Sequence, residues 1–266
     1  MKTATNSLLE NEVSDILENV SEFDLSEKRI LGVDGSVLRY RAGAKFEVKY
    51  DAFERHHILW LLDGSLLLED FCANGQGAFT YLKHGMYFPS DLELPEQQSS
   101  FIVAHACQNL TILSLPLKRF DYLKNTHKHF IKIIHQSLLK KYFLQKVMQQ
   151  LCLEGKISER IKNILIYFAN DCGSQLVNGD VLLPNVLTYR IIASFANTST
   201  ATVCQTIKKF RENGILNARS RKLIMKKTSL DQLLVVLSVK FWLVECPIVN
   251  FILRTLSCFI HKQSDD

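Results

Sequence analysis

The chain has 266 residues, of which 47% are hydrophobic, and a formal net charge of +5. It contains neither an internal repeat nor a low-complexity tract, which excludes repeat architectures, and its length allows two modest cores. The seven cysteines are dispersed without a CxxC pair. This argues against a disulfide framework and favours mostly buried thiols in a reducing compartment.

The first 30 residues form an acidic and polar N-terminal extension that contains the stretch ENEVSDILENVSEFD. This composition is typical neither of a signal peptide nor of a basic transit peptide, so we expect a cytoplasmic protein.

Short apolar runs separated by turns occupy residues 31–118, and the pattern indicates a β domain. The runs recur at roughly the eight-to-twelve-residue spacing of β sandwiches, barrels and rolls. Asp63-Gly64 and Asn74-Gly75 are hairpin signals between such runs. The His56-His57 pair raises the alternative of a metalloenzyme. Adjacent residues on a strand point to opposite faces, however, so both imidazoles cannot enter one pocket. We therefore expect no metal site and no enzymatic activity.

The sequence pattern changes from strand-like to helical over residues 119–155, with no proline or glycine before Gly155. Apolar residues recur near a helical period at Phe130, Ile133, Ile134, Leu138, Leu139, Phe143, Val147 and Leu151. A helix this long usually needs a partner, and its own copy in a second chain is the simplest one. The pattern therefore predicts a dimerisation helix.

Residues 156–230 contain a helix-turn-helix pattern between Thr188 and Leu216. The stretch TYRIIASFA predicts one short helix, in which Ala193 allows close approach, and NTST supplies turn and N-cap chemistry. A second helix carries Val203, Ile207 and Phe210 at spacings of four and three, and Gly214 follows it as a terminator. The alternative interpretation is an ordinary helical hairpin without a DNA-binding role.

The charge around this pattern favours a DNA-binding unit. Between residues 184 and 228 there are nine basic residues and one acid, Glu212, a local surplus of eight in a chain whose total is +5. Lys and Arg supply most non-specific DNA affinity. After Gly214, two short strands around a basic turn, Arg219–Lys222, predict a β-hairpin, the wing of a winged helix-turn-helix.

Residues 231–266 form a strongly apolar tail, interrupted between Leu233 and Ile260 by Lys240, Glu245, Pro247 and Arg254. No window gives a clean spanning helix. Three readings stay open: a helix packed on the DNA-binding unit or on a dimer partner, an interfacial membrane helix, and a membrane anchor.

The order of β-roll, long helix and winged helix-turn-helix resembles the CRP/FNR superfamily of homodimeric transcription regulators. Within it, the stretches ILIYFANDCG, FIVAHACQNLTILSLP and FRENGIL are similar to the global nitrogen regulator of cyanobacteria and red-algal plastids. The resemblance implies an α+β fold with an antiparallel, cyclic-nucleotide-binding-like roll. It also implies double-stranded DNA and a second copy of the chain as partners, leaves RNA polymerase open as a third, and adds the plastid stroma as a location. A metabolite-binding module with a vestigial DNA domain is the alternative of a different class.

Few of the effector-binding residues of that superfamily are present at the matching positions of this chain. Cyclic-nucleotide-binding members carry a Gly-Glu pair after a strand that ends in Phe, and then an Arg-Ser pair for the phosphate. The matching residues here are Phe88, Pro89, Ser90 and Asp91, with Ser99 and Ser100 at the Arg-Ser place. Without that Arg no cation offsets a cyclic phosphate, so the resemblance argues against cAMP.

The nitrogen regulator's 2-oxoglutarate pocket maps to the same segment after Phe88 and to Ser100, Lys141 and Lys146, of which only Lys141 fits the pattern. Lost or altered effector binding is therefore favoured over 2-oxoglutarate sensing. The first Cys is Cys72, so the N-terminal cysteine cluster of iron–sulfur members is missing.

The recognition helix also departs from the superfamily, because Thr200 and Gln205 stand where guanine-reading arginines are usual. Gln reads adenine by a bidentate pair, and Thr contacts a thymine methyl. Thr202, Lys208 and Lys209 match phosphate-contacting positions. The residues that we expect to contact DNA are Arg190, Thr198, Ser199, Thr200, Ala201, Thr202, Gln205, Lys208, Lys209 and Arg221.

Overall fold

A computed structural model of the chain describes residues 16–18, 20–21, 23–48, 57–71, 77–88, 102–153, 155–217 and 222–228. Pro89, Ser90, Asp91, Ser100 and Arg221, the hairpin signal at Asn74-Gly75 and the apolar tail lie outside the described residues. Among the helices that the structure describes, none combines the length and apolar character needed to cross a membrane.

Two four-stranded antiparallel sheets form the predicted β-roll. The first sheet has the order β1-β8-β3-β6, with β1 Ser36–Tyr40, β8 Leu110–Pro116, β3 His57–Asp63 and β6 Met86–Phe88. The second sheet has the order β2-β7-β4-β5, with β2 Lys45–Val48, β7 Ile102–Ala106, β4 Ser65–Phe71 and β5 Gly77–Lys83. Asp63-Gly64 joins β3 to β4 with Gly64 at φ +85°, which confirms the predicted turn.

The inner faces of both sheets pack on one apolar cluster. Leu59 and Leu61 come from the first sheet, and Leu66, Leu68 and Leu82 from the second. Because side chains alternate along a strand, Leu67 of β4 and Tyr81 of β5 point to the opposite side. The second sheet therefore has a buried inner face and an outer face that also needs cover.

Helices cover the outer face of the first sheet. The helix α1 spans Leu25–Asp34, α2 spans Leu117–Thr126 and α3 spans Lys128–Leu153. Trp60 and Tyr87 of this sheet pack with Phe23, Phe120 and Phe130 in an aromatic cluster, with ring centroids 5.3 to 6.3 Å apart.

The helical stretch predicted from Arg119 to Leu153 is not continuous. It breaks at His127, whose backbone is extended (φ −118°, ψ 102°), and the His127 N–H closes α2 by donating to the Leu123 carbonyl at 2.9 Å. Neither glycine nor proline marks this break, and Lys124 and Asn125 in the last turn of α2 are only weak stop signals. The break lets Phe120 of α2 and Phe130 of α3 both reach the aromatic cluster.

A C-terminal unit covers the outer face of the second sheet. It consists of α4 Ile157–Cys172, α5 Tyr189–Phe195, α6 Thr200–Glu212 and a three-stranded sheet of order β11-β10-β9, with β9 Ser174–Gln175, β10 Val181–Leu182 and β11 Ile224–Met225. The buried core of this unit also includes Leu67, Tyr81 and Cys107 of the roll. The two parts of the chain therefore share one apolar cluster.

Alanine substitutions at two glycines in left-handed turns of the roll distinguish the cost of backbone strain from the cost of steric overlap. Gly43 (φ +87°) has open space where a Cβ would lie, whereas a Cβ on Gly64 (φ +85°) would overlap the Asn109 carbonyl oxygen. We expect Gly43→Ala to lower the free energy of unfolding by about 1–2 kcal/mol. Gly64→Ala should lower it by roughly 1–3 kcal/mol more. Urea denaturation followed by circular dichroism measures both, and equal losses would contradict the overlap.

Candidate nucleic-acid interface

The helices α5 and α6 are joined by the tight turn that the NTST motif predicts. Asn197 has a left-handed backbone (φ 47°), which asparagine tolerates better than most residues, and the Thr198 N–H donates to the Ala193 carbonyl at 3.0 Å. The Ser199 hydroxyl accepts from the Thr202 N–H at 3.1 Å and caps α6. Ala193 is buried where the two helices meet. The turn therefore fixes the direction of α6 relative to α5.

The helix α6 has one buried face and one exposed face. Val203, Thr206, Ile207 and Phe210 are buried, and the predicted inward direction of the three apolar residues is confirmed. The exposed residues are Thr200, Ala201, Cys204, Gln205, Lys208, Lys209 and Glu212. Gln205 thus points outward, as its spacing from Val203 and Ile207 predicts. We call these exposed residues the outer face of α6.

The N-terminal end of α6 is held by its own polar side chains. The Thr202 side chain is half-buried, and its hydroxyl lies 2.9 Å from the Ser199 hydroxyl. The Thr206 hydroxyl donates to the Thr202 carbonyl at 2.8 Å. These bonds leave the exposed Thr200 and Ala201 at the first turn, where a helix presents its free N–H groups to an anion.

The residues that follow α6 pair with the segment around β11. Gly214 has φ +72° and ends the helix as predicted, and Leu216 pairs antiparallel with Met225. The Asn217 N–H donates to the Ile224 carbonyl at 2.9 Å, and the predicted basic turn at residues 219–222 lies mostly outside the described residues. The regular strand is shorter than the sequence indicates, because only Ile224–Met225 pairs with β10.

Arg190 is engaged by the roll, which differs from the DNA contact expected from the sequence. It lies on α5, and its Nη1 is 2.5 Å from Glu69 Oε1 on β4. Its guanidinium also lies over the Phe79 ring, 5.2 Å from the centroid. The side chain is still 55% exposed, so this ion pair sits at the rim of the contact between α5 and the roll.

Glu69 is a buried carboxylate that holds two partners. His105 of β7 places Nε2 at 2.8 Å from Glu69 Oε2, and since an ionised carboxylate only accepts, that nitrogen donates. Burial alone would raise the pKa of Glu69, but the adjacent Arg190 guanidinium and the hydrogen bond from His105 outweigh it and lower the pKa. Burial lowers the pKa of His105, against the opposing effect of Glu69. The pair is therefore an anion with a neutral imidazole.

A second polar contact joins α4 to the roll. Asp171, in the last turn of α4, accepts from the Tyr81 hydroxyl and pairs with the Lys83 ammonium. Burial and then the neighbouring Cys172 and Asp171 raise the pKa of Tyr81, which stays protonated and donates. Phe79, Tyr81 and Lys83 alternate along β5 and face the C-terminal unit. With Leu67, Glu69 and His105 they form what we call the docking face of the second sheet.

Sequence reasoning did not identify Glu69, His105 or Asp171 as important. The available signal was the acidic pair Glu69-Asp70 after an apolar run in the strand SLLLEDF, since a charged residue there must find a partner when the strand is buried on both sides. His105 gave no signal, because its partner is 36 positions away in sequence.

The residues expected to line an effector pocket fall mostly outside the described residues. Phe88 is 1% exposed and packs in the apolar cluster between the sheets. Lys141 is half-buried on α3. Lys146 is exposed, with its ammonium 5.7 Å from the Tyr142 ring centroid.

One group of candidate metal ligands occurs among the described residues, and it has a structural explanation. One side-chain oxygen or nitrogen atom from each of Asp24, Glu27 and His129 lies within 4.8 Å of the other two. The Asp24 and Glu27 side chains form the capping box of α1, and His129 Nδ1 is 3.0 Å from Glu27 Oε2. The cluster thus ties α1 to α3.

The chain is similar to known transcription regulators. No family model matches it. The HTH-type transcriptional regulator ArcR of Staphylococcus epidermidis is 26% identical over 185 residues, which is 68% of this chain and 78% of ArcR. This relative is named as a transcription regulator and not as an enzyme.

Solved structures show the fold. A CRP/FNR-family transcriptional regulator from Thermus thermophilus matches with a TM-score of 0.57 at 16% identity, over 74% of this chain and 97% of its own. The c-di-GMP responsive global regulator CLP of Xanthomonas campestris matches with 0.56 at 14%, over 74% and 96%. The chain therefore has the fold of the CRP/FNR transcription regulators.

The Glu69–His105 pair predicts a loss of stability in mild acid. An unfolded histidine titrates near 6.5, and burial lowers the pKa of His105 in the fold. As the pH falls below about 6.5 the unfolded chain takes up the proton first, so the free energy of unfolding falls. His105→Gln, whose amide can still donate to Glu69, should flatten this part of the profile.

Urea denaturation at a series of pH values between about 8 and 5 measures this profile. His84→Gln, which removes an exposed imidazole from the same roll, is the matched control and should keep the wild-type profile. A His105→Gln profile as steep as that of the wild type would contradict the assignment.

Proposed function

We propose that the chain is a homodimeric, sequence-specific DNA-binding transcription regulator. The observation that carries the proposal is α6, which turns an exposed face of small, amide and basic side chains outward while its apolar side is buried. In a helix-turn-helix the second helix enters the major groove and the first crosses the DNA backbone. The fold and the relative described above support the same function.

Each part of the C-terminal unit has a role in this proposal. Thr200, Ala201 and Gln205 meet base edges, and Lys208 and Lys209 meet phosphates, which position the protein without reading sequence. Thr198, Ser199 and Thr202 shape the start of the recognition helix. The paired residues Leu216 and Met225 form the base of the proposed wing, and Arg221 stays a predicted DNA contact.

The dimer interface is the side of α3 that faces away from the roll. Leu138 is 39% exposed and Tyr142 is 52% exposed, although both are large apolar residues on a helix whose other side is buried. They lie four positions apart and therefore on one side of the helix. A second copy of α3 covers them, and the pairing sets the spacing of the two recognition helices.

The regulatory role is proposed as nitrogen control, on the resemblance of the segments quoted above alone. The same comparison of residues argues against cAMP as effector, and it makes altered effector binding a better proposal than intact 2-oxoglutarate sensing. Its cellular site is then the cytoplasm or a plastid stroma.

Two substitutions on α6 separate base reading from backbone binding. Gln205→Ala should weaken binding to the preferred site by roughly 1–3 kcal/mol and relax selectivity at one base position. Lys209→Ala should weaken all sequences about equally and lower the salt slope by about one. Selection from random duplexes, followed by anisotropy titrations at several salt concentrations, measures both effects.

Two outcomes would contradict this part of the proposal. Identical site preferences for the wild type and Gln205→Ala would mean that this residue does not read bases. Absent or salt-insensitive duplex binding by the wild type would contradict DNA binding altogether, since phosphate contacts make affinity fall steeply with salt.

A charge on the exposed side of α3 should break the dimer. Leu138→Glu places a carboxylate in the proposed interface, where it would lose its hydration without gaining a partner. We expect a monomer by sedimentation at micromolar concentration, with the helical content unchanged. Gln136→Glu is the matched control, because it adds the same charge to an exposed position two residues away, on another side of α3. A dimeric Leu138→Glu protein would contradict the interface.

A further inference from the structure

Arg190 lies where two anions, the Glu69 carboxylate and a DNA phosphate, would compete for its guanidinium. It lies in the second position of α5, the helix that crosses the DNA backbone if the chain binds DNA as proposed. In the structure the same guanidinium is paired with Glu69 of the roll. One cation cannot fully satisfy a buried carboxylate and a phosphate at the same time.

Glu69 cannot easily release Arg190. The Glu69 side chain is only 3% exposed, and its other partner, His105, is kept neutral because burial lowers the pKa of that imidazole. Moving Arg190 to a phosphate would leave a buried carboxylate without a compensating cation, which is strongly unfavourable. The contact therefore opposes any state in which Arg190 serves DNA.

The contact between Asp171 and the roll points the same way. An acid in the last turn of a helix is unfavourable, because the C-terminal end of the helix dipole is negative. Asp171 occupies such a place on α4, and its partners are Tyr81 and Lys83 on the roll. Its position is explained by docking the C-terminal unit and not by the stability of α4.

Both contacts use the docking face, and both belong to one interface. Phe195 of α5 packs on Phe79, the ring that also lies under Arg190, with centroids 6.4 Å apart. The apolar part of this interface is continuous with the core of the C-terminal unit. Releasing Arg190 and releasing Asp171 are therefore two ways to loosen the same contact.

We propose that the docking face is an autoinhibitory surface, and that Glu69 competes with DNA phosphate for Arg190. The inference rests on the proposed DNA-binding function. In the docked state Glu69 holds Arg190 and α5 against the roll. Binding to DNA transfers Arg190 to a phosphate and loosens the docking face.

The test compares DNA affinities of the full-length wild type, Glu69→Gln, Arg190→Gln and the double variant, by anisotropy with one duplex at several salt concentrations. Glu69→Gln keeps the shape and the bond to His105 but removes the charge. It should bind DNA at least about fivefold more tightly, a typical size for coupling between two sites. Its salt slope should stay close to that of the wild type, because Arg190 contacts a phosphate in both complexes and only the cost of releasing it from Glu69 differs. In the Arg190→Gln background the same change should have little effect.

Two further variants provide a charge control and an independent test of the same interface. Glu47→Gln removes an equal charge from an exposed position on β2 of the same sheet, and should change affinity much less than Glu69→Gln. Asp171→Asn loosens the docking face from the other side and should also tighten binding. It keeps the proposal testable if Glu69→Gln does not fold.

The outcomes distinguish failure of this inference from failure of the proposed function. If the wild type binds DNA and neither Glu69→Gln nor Asp171→Asn binds more tightly than Glu47→Gln, the autoinhibitory role is overturned while DNA binding stands. Weaker binding by a folded Glu69→Gln also overturns it, because the contact would then prepare the protein for DNA. If no variant binds duplex DNA, the proposed function itself fails, and the competition for Arg190 fails with it.

Discussion

The strands of the roll are apolar on both sides, and this constraint determines the rest of the architecture. In β3 and β4 four or five consecutive residues are buried, so one face alone cannot bury each strand. The inner faces of the two sheets cover each other, and each outer face needs a further layer. Helices α1 to α3 supply it on the first sheet, and α4 and α5 supply it on the second.

This second layer places the C-terminal unit in direct contact with the roll. An apolar contact alone would hold α4 and α5 without selecting a state. The polar groups of the docking face change that, because each pairs with one defined residue across the interface. Glu69 with Arg190 and Asp171 with Lys83 thus make the contact depend on charge, and the proposed competition with phosphate acts on Arg190.

The helix α3 serves two surfaces with its two sides. Phe130 and Ile134 pack into the aromatic cluster of the roll, while Leu138 and Tyr142 remain exposed. A single apolar stripe in the sequence therefore contains residues for the protein's own core and residues that the proposed dimer would cover. Spacing close to a helical period does not separate these two uses, since both sides of such a helix carry apolar residues.

The sequence by itself determined the local elements of this protein. The turn at Asp63-Gly64, the cap at Ser199 and the outward position of Gln205 follow from rules that act over a few residues, and the structure agrees with them. Only the tertiary structure decided the break at His127 and the partners of Arg190 and Asp171. Those depend on residues far apart in sequence, such as Glu69 and Arg190, which meet because α5 packs on the outer face of the second sheet. Charge and helical position showed that Arg190 suits a phosphate, but only the packing of α5 on the roll showed that a carboxylate already holds it.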